Sequence, residues 1–336
     1  MAGTAAALTG AGTSASAPAA VCYLPTSEAY DRWSAVYDTD GNFLQKIDDI
    51  EMQKTLLPRL LAELRRRRGI RNPHGQQQQQ RGAVVVDLGC GTGRNTALLL
   101  SPPATDVVGE VVALDASRGM LDVARERLSS FSSTSSRSSP GGKERAQKPG
   151  EEEEEGRTQP PRLHFEHHDL LAAATPPACA LGTADAVIST LVVEHVPLRA
   201  FFAHAAAMLR PGGGGVLLLT NMHADMGRLS QAGFVDASTG VKVRPTSYAH
   251  TVAEVVAEAA RWGFRVLEEG PMERGGRGGE GEEGKGGGEW KGDVRGVKEV
   301  RVNEDMVEIL GTRSRKWVGV TCWFGCLFKM DGGKVE

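Results

Sequence analysis

A run of apolar residues leading into three alternate glycines constrains this fold more than any other feature of the sequence. The run spans residues 83–88, and the turn reads Asp87-Leu88-Gly89-Cys90-Gly91-Thr92-Gly93 before a stretch of helical period at 93–100. Glycines let the backbone pass close to a ligand, and the first turn of a helix offers unpaired N–H groups. The segment is therefore expected to form a buried strand, a turn and a helix that bind a nucleotide-like ligand.

The spacing of the glycines distinguishes two kinds of nucleotide site. A nicotinamide fingerprint, G-x-G-x-x-G, would need glycine at position 94, where this chain has Arg94. The pattern D-x-G-x-G-x-G resembles instead motif I of the class I S-adenosylmethionine-dependent methyltransferases. The resemblance implies S-adenosylmethionine as cofactor, with its methionine end oriented by an acidic residue and held by the loop. The residues concerned are Asp87, Gly89, Cys90, Gly91 and Gly93.

A second motif follows the next predicted strand. Asp115 and Ala116 lie at the end of that strand, with Met120 one helical turn further on. An acidic residue at this tip accepts hydrogen bonds from both ribose hydroxyls of an adenosyl ligand. For Asp115 the alternative is a cap on the helix that starts near Ser117.

Further segments are similar to the same superfamily, in the same order. Asp169 and Leu170 follow the third strand and resemble the residues that meet the adenine amino group, although Asp169 is also compatible with a solvated loop carboxylate. Thr190 ends the fourth strand, and the segments from Asp185 to Val196 and from Leu209 to Gly213 resemble D-x-V-x-x-x-x-x-x-E-H-V and L-x-P-G-G.

Two aromatic segments near the N-terminus extend the resemblance. Tyr30-Asp31-Arg32-Trp33 and Tyr37-Asp38 look like the segment that closes over the cofactor in methyltransferases of ubiquinone and menaquinone biosynthesis. An aromatic face beside a desolvated sulfonium gains about 2 kcal/mol, so Tyr37 is a candidate cofactor residue. The alternative is a helical stripe of Tyr30, Trp33 and Tyr37 packed on the core.

The remaining structured parts alternate short Val-, Ile- and Leu-rich runs with stretches of helical period. Strands are predicted at 83–88, 110–114, 163–167, 186–190, 215–220, 264–268 and 317–328, and helices at 44–68, 93–100, 117–128, 197–209 and 251–262. The expected fold is α/β, with a doubly wound, seven-stranded, mostly parallel sheet whose last strand is antiparallel. This is the Rossmann-like methyltransferase fold, in a single domain over residues 21–330.

Several segments have compositions that do not bury a core. We expect disorder in the tail 1–20 and in the insertions 72–82, 129–161 and 270–293. Residues 221–250 contain no strong strand pattern and are rich in Gly, Ser, Thr and His, so we expect a lid over the substrate, with a long surface excursion as the alternative.

Methyl transfer from a sulfonium is a direct displacement on carbon, so positioning does most of the work. Where the acceptor must lose a proton, a general base is expected after the fourth or fifth strand, and the candidates are Glu194, His195, His223, Tyr248 and His250. Each histidine is also compatible with a purely structural role. The resembling ubiquinone O-methyltransferases carry a metal-binding carboxylate where this chain has Leu191, so no metal is expected.

The expected function is methyl transfer to an O, N or C atom of a small molecule. The alternatives are a non-catalytic binding module of this fold and a methyltransferase acting on protein or RNA. DNA is not an expected partner, because base-amino methyltransferases have an Asn/Asp-Pro-Pro-aromatic turn where this chain has Ser189-Thr190-Leu191-Val192. A net charge of −3, the lack of a long apolar run and five scattered cysteines indicate a cytoplasmic protein without a membrane span, and leave its oligomeric state open.

The position of Asp115 yields a first prediction. Replacing it by alanine, Asp115→Ala, should weaken S-adenosylmethionine binding by about 1–3 kcal/mol, because a hydrogen-bonded ribose loses its acceptor. Thermal stability should change little. Calorimetric titration of both proteins measures the effect, and an unchanged affinity would remove Asp115 from the site.

Overall fold

The computed structural model describes residues 21–70, 81–132, 160–268 and 294–331. The expected disorder of 1–20, and of most of 72–82, 129–161 and 270–293, concerns residues outside these ranges. At one boundary the expectation was wrong, because residues 129–132 form a short helix. Phe131 of this short helix packs against the buried core, which stabilises the turn.

The elements follow the sequence order. The strands are β1 (Val21–Leu24), β2 (Ala83–Leu88), β3 (Val108–Asp115), β4 (Arg162–His167), β5 (Ala186–Thr190), β6 (Val216–Met222), β7 (Phe234–Val235), β8 (Lys242–Pro245), β9 (Phe264–Val266), β10 (Val297–Arg301) and β11 (Thr321–Met330). The helices are α1 (Thr26–Trp33), α2 (Phe43–Glu51), α3 (Leu57–Ile70), α4 (Arg94–Leu99), α5 (Arg118–Arg127), α6 (Ser129–Ser132), α7 (Leu198–Met208), α8 (Ala224–Leu229), α9 (Val252–Arg261) and α10 (Met306–Leu310).

The central sheet confirms the predicted fold class. Its order is β10-β11-β6-β5-β2-β3-β4, with parallel pairing from β6 to β4 and with β11 antiparallel to β6. Strand β9 pairs with residues 328–330 of β11, and β10 pairs with residues 321–326 on the same side. The two strands therefore share one position at the sheet edge, so eight strands fill seven positions.

Both faces of the sheet are covered, because side chains alternate along each strand. Val85 and Leu218 face the layer formed by α2, α3 and α4, whereas Val86 and Leu217 face α7 and α9. None of the helices in the described ranges combines the length and apolar character needed to cross a membrane.

Two predicted elements need correction, and one strand was missed. The last strand begins at Thr321 rather than at 317, because residues 312–317 form a 3-10 turn whose Trp317 packs on Phe43 of α2, with ring centroids 6.1 Å apart. The helix predicted at 44–68 is two helices joined by a π turn over Met52–Leu56. Strand β10 was missed, because its alternating residues pair only with β11 at the sheet edge.

Residues 221–250 do contain strands, contrary to the prediction. Strand β8 pairs with β1 in parallel and with β7 in antiparallel orientation, which makes a small separate sheet. Its inner side packs on α1, where Phe234 stacks on Trp33 with ring centroids 5.1 Å apart. The register was not readable from sequence, because β1 and β8 lie more than 200 residues apart.

A buried carboxylate joins the helical layer to the sheet. Asp48 of α2 is fully buried, and its Oδ1 accepts hydrogen bonds from Thr220 Oγ1 at 2.5 Å and Trp323 Nε1 at 3.1 Å. Its Oδ2 accepts from Arg94 Nη2 at 2.9 Å and Asn95 Nδ2 at 3.3 Å. A single side chain therefore links α2, α4, β6 and β11.

Removing this carboxylate should be costly. We expect Asp48→Ala to lower the free energy of unfolding by about 3–5 kcal/mol, because it removes the buried acceptor of four donors and leaves Arg94 with Asp49 as its remaining carboxylate partner. The matched control is Asp122→Ala, which removes an exposed partner of Arg125 and should cost about 0–1 kcal/mol. Urea unfolding of both variants measures this, and equal losses would contradict the structural role of Asp48.

Candidate functional site

A cavity of about 250 Å³ lies at the carboxyl ends of β2, β3 and β5. Ligands in open α/β sheets bind at this edge. Nine of the predicted site residues line the cavity: Tyr37, Gly89, Gly91, Asp115, Ala116, Asp169, Leu170, Thr190 and His195.

Two glycines of the turn after β2 shape the cavity. Gly89 has φ +79°, and a Cβ there would lie 2.3 Å from Val192 Cγ2. Gly91 has φ +54°, and no atom lies within 4 Å of the position of its missing Cβ. Gly91 therefore leaves an open cradle that a side chain would fill, as a cofactor approaching the backbone requires. The residues present thus fit an adenosyl ligand.

Asp115 lies beside Gly91 in the cavity wall. Its Oδ2 accepts from the Gly91 N–H at 2.7 Å and its Oδ1 from the Ser117 N–H at 2.8 Å. Burial raises the pKa of Asp115 to about 6. The N-cap of α5 is Ser117 itself, whose Oγ accepts from the Met120 N–H. Because the carboxylate holds two backbone groups, Asp115→Ala should also lower the free energy of unfolding by about 1–3 kcal/mol, contrary to the sequence-based expectation.

The acidic residue of motif I does not line the cavity. Asp87 is fully buried, and its Oδ2 accepts from Thr96 Oγ1 at 2.6 Å. Burial raises the pKa of Asp87 to about 7. In the structure this side chain fixes the start of α4 to the end of β2.

Three other predicted cofactor residues lie behind the cavity wall. Cys90 packs with Ala113 and Leu121 under the turn. Gly93 is the N-cap of α4, and Met120 packs against Trp33 in the cluster below the small sheet. These three residues support the cradle from outside, and the glycine spacing in the sequence does not show which residues of the motif face the cavity.

Two cavity residues form a hydrogen-bonded pair opposite the cradle. His195 Nδ1 lies 2.7 Å from the carbonyl oxygen of Thr246, and Tyr30 Oη lies 2.8 Å from His195 Nε2. Burial lowers the pKa of His195 to about 4 and raises the pKa of Tyr30 well above its usual value. Tyr30 was singled out in the sequence only as part of an aromatic segment.

Glu194 lies beside this pair. Its Oε2 accepts from the Met222 N–H at 3.2 Å, and its Oε1 lies 3.7 Å from His195 Nε2. Burial raises the pKa of Glu194 to about 8. The carboxyl group is therefore largely protonated at neutral pH.

The structure does not bring the other three base candidates to the cavity. His223 Nδ1 accepts from the Asp225 N–H as the cap of α8. Tyr248 and His250 stack on each other with ring centroids 5.2 Å apart, and His250 Nε2 lies 3.0 Å from the Val196 carbonyl oxygen. Their capping, stacking and backbone contacts hold them outside the cavity wall.

The wall between the cradle and the Tyr30–His195 pair is apolar. It is built by Leu170, Leu191, Val192 and Val196. Leu191 has φ +57°, a conformation that costs on the order of 1–3 kcal/mol for a residue other than glycine. Its N–H donates to the Thr220 carbonyl oxygen at 3.0 Å, which fixes this bend where β5 enters the cavity.

Comparisons with known proteins agree on one family. A family model described as a methyltransferase domain matches residues 86–214. The chain is 42% identical over 310 residues to an uncharacterized methyltransferase of Emericella nidulans, with 90% of each protein covered. It is similar to the structure of an S-adenosylmethionine dependent methyltransferase from Mesorhizobium loti, at 16% identity and a TM-score of 0.42, over 74% of this chain and 91% of that chain. It is also similar to the DhpI-SAH complex, at 15% identity and a TM-score of 0.47, over 92% and 96% of the two chains.

The raised pKa of Glu194 predicts how stability depends on pH. Between its ordinary value of 4.5 and about 8, the folded protein keeps a proton that the unfolded chain has released. The free energy of unfolding should therefore fall as pH rises through this window. Glu194→Gln should make the fall between pH 7 and 8 shallower. This range lies above the pKa of His195 in both the folded and the unfolded protein, so His195 contributes little to the slope.

The control is Glu308→Gln, which replaces an exposed carboxylate. Urea unfolding at several pH values gives the slopes for the wild-type protein and both variants. A slope that Glu194→Gln leaves unchanged would show that this carboxyl group is ionised in the folded protein.

Proposed function

The chain belongs to the class I S-adenosylmethionine-dependent methyltransferases, and we propose that it transfers the methyl group of S-adenosylmethionine to a small molecule bound in the cavity described above. Membership of this family and its cofactor confirm the sequence-based assignment. The narrower resemblance to the ubiquinone and menaquinone enzymes stays a prediction. The acceptor atom is proposed to be O, N or C.

The open cradle at Gly91 carries this proposal. Bound S-adenosylmethionine supplies an electrophilic methyl group on a sulfonium. In our proposal Gly89 and Gly91 let the cofactor approach the backbone of the turn. Asp115 accepts hydrogen bonds from the ribose hydroxyls, and Asp169 contacts the adenine. Four predicted cofactor residues lie outside the cavity and hold the turn and the helices in place: Asp87, Cys90, Gly93 and Met120.

The apolar wall supports a small acceptor. Leu170, Leu191, Val192 and Val196 offer surface to an apolar or aromatic molecule, and the start of α1 with Thr246 covers the cavity from outside. A pocket with mostly apolar walls and a few convergent polar groups is typical of small-molecule sites. We propose that β1, β7 and β8, with the rest of 221–250, act as the lid over this acceptor.

We further propose that residues 21–330 act as one domain and that the reaction takes place in the cytoplasm. The small sheet and α1 pack on the glycine-turn side of the central sheet through Met120, which supports a single domain. All five cysteines are free thiols, which is compatible with a reducing compartment.

A matched pair of glycine substitutions tests the cradle. Gly91 and Gly240 both have positive φ and open space at the Cβ position, but only Gly91 lines the cavity. Both substitutions by alanine should cost similar backbone strain. Gly91→Ala should weaken S-adenosylmethionine binding by about tenfold or more, or about 1.4 kcal/mol, whereas Gly240→Ala should leave it unchanged.

Calorimetric titration measures both affinities. Equal affinities in the two variants would mean that the cofactor does not approach Gly91.

The proposed activity is tested with methyl-labelled S-adenosylmethionine and a cell extract filtered to retain only small molecules. Label transferred to a small molecule by the wild-type protein supports the proposal. Label found only when the macromolecular fraction is supplied would instead indicate a protein or RNA substrate.

A further inference from the structure

We propose that Tyr30 passes the proton of the methyl acceptor to His195, and that the acceptor is therefore a hydroxyl compound, an alcohol or a phenol, methylated on oxygen. This inference rests on the proposed function and adds the acceptor class to it. It assigns Tyr30 a catalytic role that its aromatic neighbourhood alone does not suggest.

The hydrogen bonds around His195 allow only one arrangement of protons for a neutral ring. The Thr246 carbonyl oxygen cannot donate, so His195 Nδ1 carries the proton of the 2.7 Å bond. Nε2 then has the free lone pair, and the Tyr30 hydroxyl donates to it across 2.8 Å. The pair is thus oriented to move a proton from Tyr30 Oη to His195 Nε2.

A tyrosine hydroxyl donates one hydrogen bond and still accepts others. The hydroxyl hydrogen of Tyr30 is used in the bond to His195. Tyr30 Oη can therefore only accept a hydrogen bond from a ligand in the cavity. Hydroxyl, amine and thiol groups can all donate to this oxygen and be methylated. A neutral amine attacks with its own lone pair before it loses a proton, and a thiol ionises readily, so a proton relay assists a hydroxyl group most. In the proposed function the carboxylate of Asp115 accepts from two backbone N–H groups and from the ribose hydroxyls, so it is not available for this proton.

Because Tyr30 and His195 are buried, the two protons move in one concerted step. The ionised forms of Tyr30 and His195 are both disfavoured in the cavity, since burial raises the pKa of the phenol and lowers the pKa of the imidazole. Tyr30 is therefore not a resting phenolate base. The titratable groups that face the pair are Tyr37, Glu194 and Asp115.

The step balances as follows. An oxygen lone pair of the acceptor forms a bond to the methyl carbon while the carbon–sulfur bond breaks, and its electrons go to sulfur. The acceptor proton moves to Tyr30 Oη as the original Tyr30 proton moves to His195 Nε2. The positive charge of the sulfonium is thereby replaced by that of the imidazolium, which afterwards releases its proton to solvent.

The experiment uses the full chain, methyl-labelled S-adenosylmethionine and the small-molecule extract described above. The labelled product of the wild-type protein is purified, and NMR of its methyl group identifies the atom that carries it. The same acceptor is then used with Tyr30→Phe, His195→Gln, the double variant, and His164→Gln as a control on an exposed histidine of β4.

We expect an O-methyl product. Tyr30→Phe and His195→Gln should each lower kcat by about 10²- to 10⁴-fold, and the double variant should be no worse than either, because the two residues act as a unit. In Tyr30→Phe, kcat should rise about tenfold per pH unit below the pKa of the acceptor, since the acceptor must then ionise unaided. His164→Gln should match the wild type.

S-adenosylhomocysteine binding, measured by calorimetry, separates misfolding from loss of the relay, and all variants should bind it within about threefold of the wild type. A product labelled on carbon or nitrogen overturns the relay while leaving the proposed function intact. A Tyr30→Phe protein that changes only KM and keeps the wild-type pH profile also overturns the relay. An extract without labelled product overturns the proposed function, and this inference with it.

Discussion

The buried carboxylate of Asp48 is the contact on which the arrangement of the site depends. It holds α2 against the strand ends where the cavity opens, and it fixes Asn95 at the start of α4. Asn95 Nδ2 in turn donates to Thr190 Oγ1 at 2.8 Å, and Thr190 lines the cavity. A buried charge of this kind is stable only when all its partners are in place, so the helical layer, the sheet and the cavity wall are positioned together.

A second carboxylate positions the cover of the cavity. Asp31 Oδ1 accepts from Ser117 Oγ at 2.7 Å and from the Gly119 N–H at 2.9 Å, at the first turn of α5. A Cβ at Gly119 would lie 2.8 Å from Ser34 Oγ, so the two helices meet without room for a side chain. Because Tyr30 precedes Asp31 on α1, this contact places the Tyr30 hydroxyl beside His195. The Asp115 side and the His195 side of the cavity are thereby linked through one helix.

Much of the fold was predictable because its signals are local. The strand, turn and helix at 83–100 follow from apolar period and glycine, and the parallel order follows from alternating strands and helices. The missed strands pair with partners in other segments of the chain. Strands β7 and β8 depend on β1, and β10 depends on β11. The sequence pattern assigned Trp317 to the last strand, whereas its packing against Phe43 places it in the turn before that strand.

The sequence by itself determined the family, the cofactor and the edge of the sheet where the cavity opens, because these depend on glycines and acidic residues at fixed spacing within single βα units. Only the tertiary structure decided which residues face the cavity. The Asp87 side chain hydrogen-bonds to Thr96, whereas the His195 side chain hydrogen-bonds to Tyr30, which lies 165 residues away in the sequence. The direction of a side chain and the proton it holds depend on neighbours supplied by the folded chain, and one-dimensional spacing carries no information about them.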